Sequence, residues 1–231
     1  MSSPAASSAP IVFVHGFATS HQRTWVDNGW TDLVTDAGRT PIGIDLLGHG
    51  TAPKPHDPAA YADLEGRVID ALPDAPVDVV AFSLGARVVL TAASRHPERF
   101  GRIVVAGVGA NLFRDDGSDL IVRAIRGDAP ADNPIAQYFA SLAADPEADR
   151  EALALVLERP HPPLTVTDLE RITAPVLVVL GDQDFAGPAD PLVDALPDAT
   201  LHTLRGVDHF STPKDFGFVD AALEFLDAQP F

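Results

Sequence analysis

Continuous apolar runs of strand length recur along the chain at 11–14, 40–45, 77–82, 102–106, 175–180 and 200–204, with Pro and Gly between them. Runs without polar alternation suit strands of a parallel sheet covered on both faces. Between them, helical patterns cover 25–36, 61–72, 86–95, 188–196 and 216–226. Strands alternating with helices imply βαβ crossovers, so the predicted fold class is α/β, a doubly wound and mostly parallel sheet of about six main strands.

The regularity stops after Val105. Residues 109–171 are too long for an ordinary connection and contain short helical patterns at 120–126, 135–142 and 146–157. The expected division is a disordered lead-in over 1–10, a core over 11–108 and 172–231, and a small helical cap over 109–171. Phe113, Tyr138, Phe139, Leu153 and Leu157 give this cap enough apolar surface to lie over a cleft.

Composition narrows the classes. The 231 residues carry 33 acidic and 16 basic side chains, a formal charge of -17 that repels nucleic acid and anionic membrane surfaces. No apolar run approaches the roughly 20 residues of a membrane span. The first ten residues have neither the basic nor the apolar section of a secretory signal, and the expected location is cytoplasmic. With no cysteine, disulfides and thiolate chemistry are excluded. No His-Glu-x-x-His cluster and no Gly-x-Gly-x-x-Gly after a strand occurs, so neither metal nor organic cofactor is expected. The expected partner is a small, mostly apolar molecule, with a neutral one favoured over an anionic one.

Within Val79-Val-Ala-Phe-Ser-Leu-Gly-Ala86, Ser83 stands where an apolar strand meets an apolar helix, with Ala81 and Gly85 two positions either side. Small flanks let the chain reverse tightly and present a serine at a helix N-terminus. A serine hydroxyl needs an imidazole to take its proton and a carboxylate to fix the tautomer of that imidazole. Asp184, in Gly181-Asp-Gln-Asp184, and His209, in Gly206-Val-Asp-His209-Phe, follow later strands in the order Ser, Asp, His. Functional groups of open parallel sheets collect beyond the carboxyl ends of strands. Asp182 is the rival acid: spacing after Gly181 favours Asp184, with Asp182 holding the turn. Asp208 is read as loop-fixing.

Backbone amides of Phe17, after His15-Gly16, and Leu84, at the helix start, are the candidate oxyanion donors. His15 is read as a loop-holding residue. Phe17, Trp25, Trp30, Phe82, Phe113, Tyr138, Phe139 and Phe210 are candidates for an apolar pocket, and His21 and Arg23 for contact with a polar substrate group, although solvated helix surface explains that pair as well.

Taken in order, His15-Gly-Phe17, Asp45-Leu-Leu-Gly-His-Gly50, Ala81-Phe-Ser-Leu-Gly85, Gly181-Asp-Gln-Asp184 and His209 resemble the alpha/beta-hydrolase superfamily, in its compact esterase-like branch. The resemblance implies Ser83 as nucleophile, Asp184 as orienting acid, His209 as base, and a structural place for His49. It further implies cleavage of a small or medium carboxylic ester through an acyl-enzyme. Thioester, lactone, carbon–carbon bond hydrolysis or perhydrolysis on the same triad is the alternative, and a non-catalytic binder on the same scaffold is a second. Two departures stand out. Ala81 replaces the usual glycine, and only about ten residues precede the first strand, too few for the antiparallel hairpin that commonly opens the fold.

Overall fold

A computed structural model describes residues 9–114 and 118–230; most of the expected lead-in therefore lies outside the described residues. Six strands form one sheet: β1 (Ile11–Val14), β2 (Pro41–Ile44), β3 (Val77–Phe82), β4 (Phe100–Ala106), β5 (Val176–Gly181) and β6 (Ala199–Leu204). Their order is β2-β1-β3-β4-β5-β6, and every pairing is parallel. Each strand falls within two residues of its apolar run.

Period-two burial divides the interior into two cores. Val12, Val14, Val79, Ala81, Val105 and Val178 face one side, against α2 (Leu64–Ala71), α3 (Leu84–Arg95) and α8 (Asp190–Ala195). Phe13, Val80, Val104 and Val179 face the other, against α1 (Trp30–Asp36) and α9 (Phe216–Phe225). That two-sided cover is why these strands carry no polar alternation.

One predicted helix divides. The pattern over 25–36 becomes a π-turn at Gln22–Val26 and then α1, because Gly29 takes φ 79° between them. Trp25 and Trp30 fall on either side of the break, yet their rings meet edge to face at 5.2 Å in the second core.

The stretch between β4 and β5 holds α4 (Asp119–Ile125), α5 (Pro134–Leu142), α6 (Arg150–Glu158) and α7 (Val166–Leu169). Side-chain caps start three of them: Asn133 accepts from Ala136 N, Asp149 from Ala152 N, and Thr165 with Asp168 forms a capping box. Val122, Ile125, Ala143, Leu153 and Ala154 form a third apolar cluster, and Phe17 and Ala18 from the end of β1 pack against it. These helices thus sit on the carboxyl edge of the sheet. No helix among the described residues is long and apolar enough to cross a membrane.

At the opposite edge, Arg39 and Asp78 make a buried ion pair at 2.6 Å. The guanidinium also donates to the Ala9 and Leu226 carbonyls, and Asp78 accepts from Arg102 N, so both charges are satisfied inside the protein.

Candidate active site

Ser83 ends β3 with φ 52° and ψ -114°, a conformation that a non-glycine residue holds only under constraint. The constraint comes from packing on both sides. Ala81 is fully buried opposite Val14 in the sheet, and Ser83 N donates to Ala106 O at 2.8 Å. The methyl of Ala81 fits the first core, so its departure from glycine leaves the turn intact.

Three loops beyond β3, β5 and β6 bring the triad together. His209 Nε2 lies 2.9 Å from Ser83 Oγ, and His209 Nδ1 lies 2.9 Å from both carboxylate oxygens of Asp184. The imidazole thus donates from Nδ1 to the acid and offers the Nε2 lone pair to the serine hydroxyl, the arrangement that general-base activation requires. The Asp184 side chain is buried and also accepts from Ala186 N at 2.8 Å, which fixes its orientation. Asp182 instead accepts from Gly206 N and holds the loop after β6. Asp208 accepts from Ser211 N, as a loop-fixing residue does.

Beside this triad lie two buried histidines, His15 and His49. His15 Nδ1 donates to Gly16 O and Nε2 accepts from Leu46 N, tying the ends of β1 and β2. Burial holds its pKa down at about 4, and that of His49 at about 3, with the His15 ring 5.2 Å away.

A cavity of about 680 Å³ opens on Ser83 and His209. Among the expected pocket residues, Phe82, Tyr138, Phe139 and Phe210 line it, as do Phe17 and Leu84. Trp25, Trp30 and Phe113 do not. Trp25 and Trp30 are buried with Phe13 and Phe218, and Phe113 packs against the first core. An aromatic residue read from sequence alone gives no sign of which wall it belongs to.

Arg23, Arg87, Arg159 and Lys214 also line the cavity, and no Asp or Glu among the described residues does. In a chain with twice as many acids as bases, the lining is inverted in charge. Arg87 stands one helical turn beyond Ser83, a spacing that places it on the same side of α3. Its guanidinium donates to the His161 and Pro162 carbonyls. Arg159 follows α6 and no sequence signal marked it. Its Nη1 donates to Val156 O, its buried Nη2 has no hydrogen-bond acceptor, and Glu65 is 3.8 Å away. Burial lowers its pKa despite that carboxylate. Arg23 reaches Asp145 and Glu147 between α5 and α6, whereas His21 lies outside the lining and its backbone N donates to Asp45.

Over residues 11–221 the sequence matches the alpha/beta hydrolase family. The chain belongs to that family. Among alpha/beta hydrolases it is 32% identical to a pimeloyl-[acyl-carrier protein] methyl ester esterase of Neisseria meningitidis serogroup B over 63% of this chain; the match spans 64% of that enzyme's length. It is 26% identical to the 2-hydroxy-6-oxo-2,4-heptadienoate hydrolase of Pseudomonas putida over 95% of this chain and 90% of that enzyme. The enol-lactonase of Burkholderia xenovorans LB400 shares the alpha/beta-hydrolase fold at TM-score 0.71, with 20% identity over 96% of this chain and 92% of its own. This alpha/beta hydrolase carries a complete catalytic triad, and its relatives divide by name between methyl ester esterases and hydrolases of a hydroxy-oxo-dienoate or a semialdehyde.

Proposed function

We propose that the protein is a serine hydrolase whose substrate is a small organic molecule with an apolar body and a carboxylate, cleaved at a carbon–carbon bond next to a ketone. One observation carries this reading: among the described residues, the cavity that reaches Ser83 is lined by four basic and no acidic side chains in a strongly acidic protein. Such a lining lowers the free energy of an anion and raises that of a cation. It turns the expectation from a neutral substrate to an anionic one. The heptadienoate hydrolase, which matches this chain nearly end to end, acts by name on a keto-dienoate, an acid of this description.

In the proposed reaction His209 takes the Ser83 proton as Oγ attacks the ketone carbon. The oxyanion lies between the backbone amides of Phe17 and Leu84, the second of which opens α3 and has no acceptor within its helix. Collapse breaks the carbon–carbon bond. In a 2-hydroxy dienoate the dienol first passes its hydroxyl proton to C5, so that the electron pair released at C5 delocalises through the resulting enone as a dienolate, which takes the proton from His209. A water deprotonated by His209 then attacks acyl-Ser83 and releases the second acid.

A carboxylic ester is the second reading, supported by the esterase relatives. There the leaving group is an alkoxide and the same residues act. Turnover of a 2-hydroxy-6-oxo-dienoate, followed by loss of its absorbance, separates the two when set beside neutral p-nitrophenyl esters. The expected result is a kcat/KM for the dienoate at least tenfold above that for any ester, with Arg159→Gln raising KM for the dienoate about tenfold or more, the scale of one charge-assisted hydrogen bond. Rapid hydrolysis of neutral esters with none of the dienoate overturns the first reading and leaves the second.

A further inference from the structure

The imidazole of His209 packs against two phenyl rings. Phe82 stands with its centroid 4.9 Å from that of His209 and its plane tilted 38°, and Phe185 at 4.4 Å with a tilt of 35°. Phe210 adds an edge at 5.6 Å and 85°.

The two near-facial rings have different origins. Phe82 precedes the nucleophile and is buried in the second core, where the left-handed Gly107 makes room for it. A β-carbon on Gly107 would meet Phe82 at 2.6 Å and His209 Cε1 at 3.0 Å, so the chain gives up a side chain there to let ring and imidazole close together. Phe185 follows the triad acid directly and is 51% exposed. Core packing does not account for a phenylalanine left half in water. Its ring meets those of His209 and, at 6.0 Å, Phe210.

We propose that Phe185 is a positioning residue for the base: with Phe82 it holds the imidazole of His209 on Ser83 and attracts the imidazolium that forms as the serine proton is taken. The proposal rests on His209 acting as the base. In each half of the reaction His209 passes through imidazolium. The negative π-face of a phenyl ring attracts that cation, and two rings raise the share of the transition state that carries it. The same rings block rotation about the Cβ–Cγ bond, so Nε2 stays on Ser83. The other polar groups facing the imidazole are the Asp184 carboxylate, the Asp208 carboxylate on its own loop and the Ser83 hydroxyl. From the cap, Tyr138 stacks on Phe210 at 3.8 Å and adds no charge.

The sign is fixed by the cation. Losing a ring that attracts the imidazolium moves the acidic limb of the kcat/KM profile to lower pH. Phe185→Leu is expected to lower kcat about five- to tenfold with KM nearly unchanged, and to move that limb down by about half a pH unit; Phe185→Tyr is expected to restore both. Thermal unfolding of each variant reports on folding separately. A Phe185→Leu protein with parental kcat, or one with reduced kcat and an unmoved limb, overturns the positioning role while the triad stands. Full activity in Ser83→Ala defeats the triad itself and is distinguishable from both.

Discussion

Gly85 lies so close beneath the end of β1 that a β-carbon there would stand 2.4 Å from the His15 carbonyl oxygen and 2.6 Å from that of Val14. Backbone blocks it on both counts, and neither carbonyl can swing aside as a side chain could. Helix α3 can therefore approach the sheet, and hold Ser83 at the elbow, only with glycine at this position. Gly85→Ala is expected to cost about 1–3 kcal/mol of stability through overpacking. Because the strain falls on the nucleophile's own turn, activity should fall further than stability. Urea unfolding and kcat measured on the same preparation check this; unchanged kcat would contradict it.

The acid is assigned by geometry, and mutation can separate the two candidates. Asp184→Asn removes the acceptor that sets the His209 tautomer and is expected to lower kcat about 10⁴-fold. Asp182→Asn changes a surface loop contact to Gly206 N and is expected to keep activity within a few fold. Steady-state kinetics on the two proteins decides, and comparable losses would point to a shared role.

Much of this was legible beforehand, for reasons that particular residues make plain. Strands β3 and β5 are buried on both faces from end to end, so their apolar runs marked them and the loops that follow them. Ser83, Asp184 and His209 were legible because parallel topology sends all three to one edge. Gly29 could have warned that the helix around Trp25 breaks, since a left-handed glycine starts α1. Other features leave no local trace. The inverted charge of the cavity depends on Arg159 arriving from the end of α6, and net charge averages that over the whole surface. Nothing in the local sequence marks Phe185, since its partner His209 is 24 positions further along.

Buried neutral histidines make stability depend on pH. His15 and His49 have folded pKa values of about 4 and about 3, below the 6.5 of an exposed imidazole. The unfolded chain therefore binds more protons as pH falls below 6.5, and stability drops until each folded pKa is reached. At pH 5 each contributes a loss of roughly 2 kcal/mol relative to pH 7. Denaturant titrations of the parent and of His49→Gln should show a shallower dependence between pH 7 and pH 5 in the variant. Parallel curves would contradict this.

The Arg39–Asp78 pair anchors the sheet edge far from the triad. Arg39→Met leaves Asp78 buried without its cation and is expected to cost about 3–5 kcal/mol. Replacing Asp78 with Asn in the same protein should recover part of that loss, since the stranded charge is then gone. Thermal or urea denaturation reads both, and a loss under 1 kcal/mol in the single variant would show that the pair is dispensable.

The central claim is that Ser83 is a nucleophile activated by His209, and a fluorophosphonate probe tests it most directly. Intact protein should take up one label, located by peptide mapping on Ser83, with labelling abolished in Ser83→Ala and slowed at least a thousandfold in His209→Ala. Label on another residue, or equal labelling rates with and without the imidazole, would contradict the account.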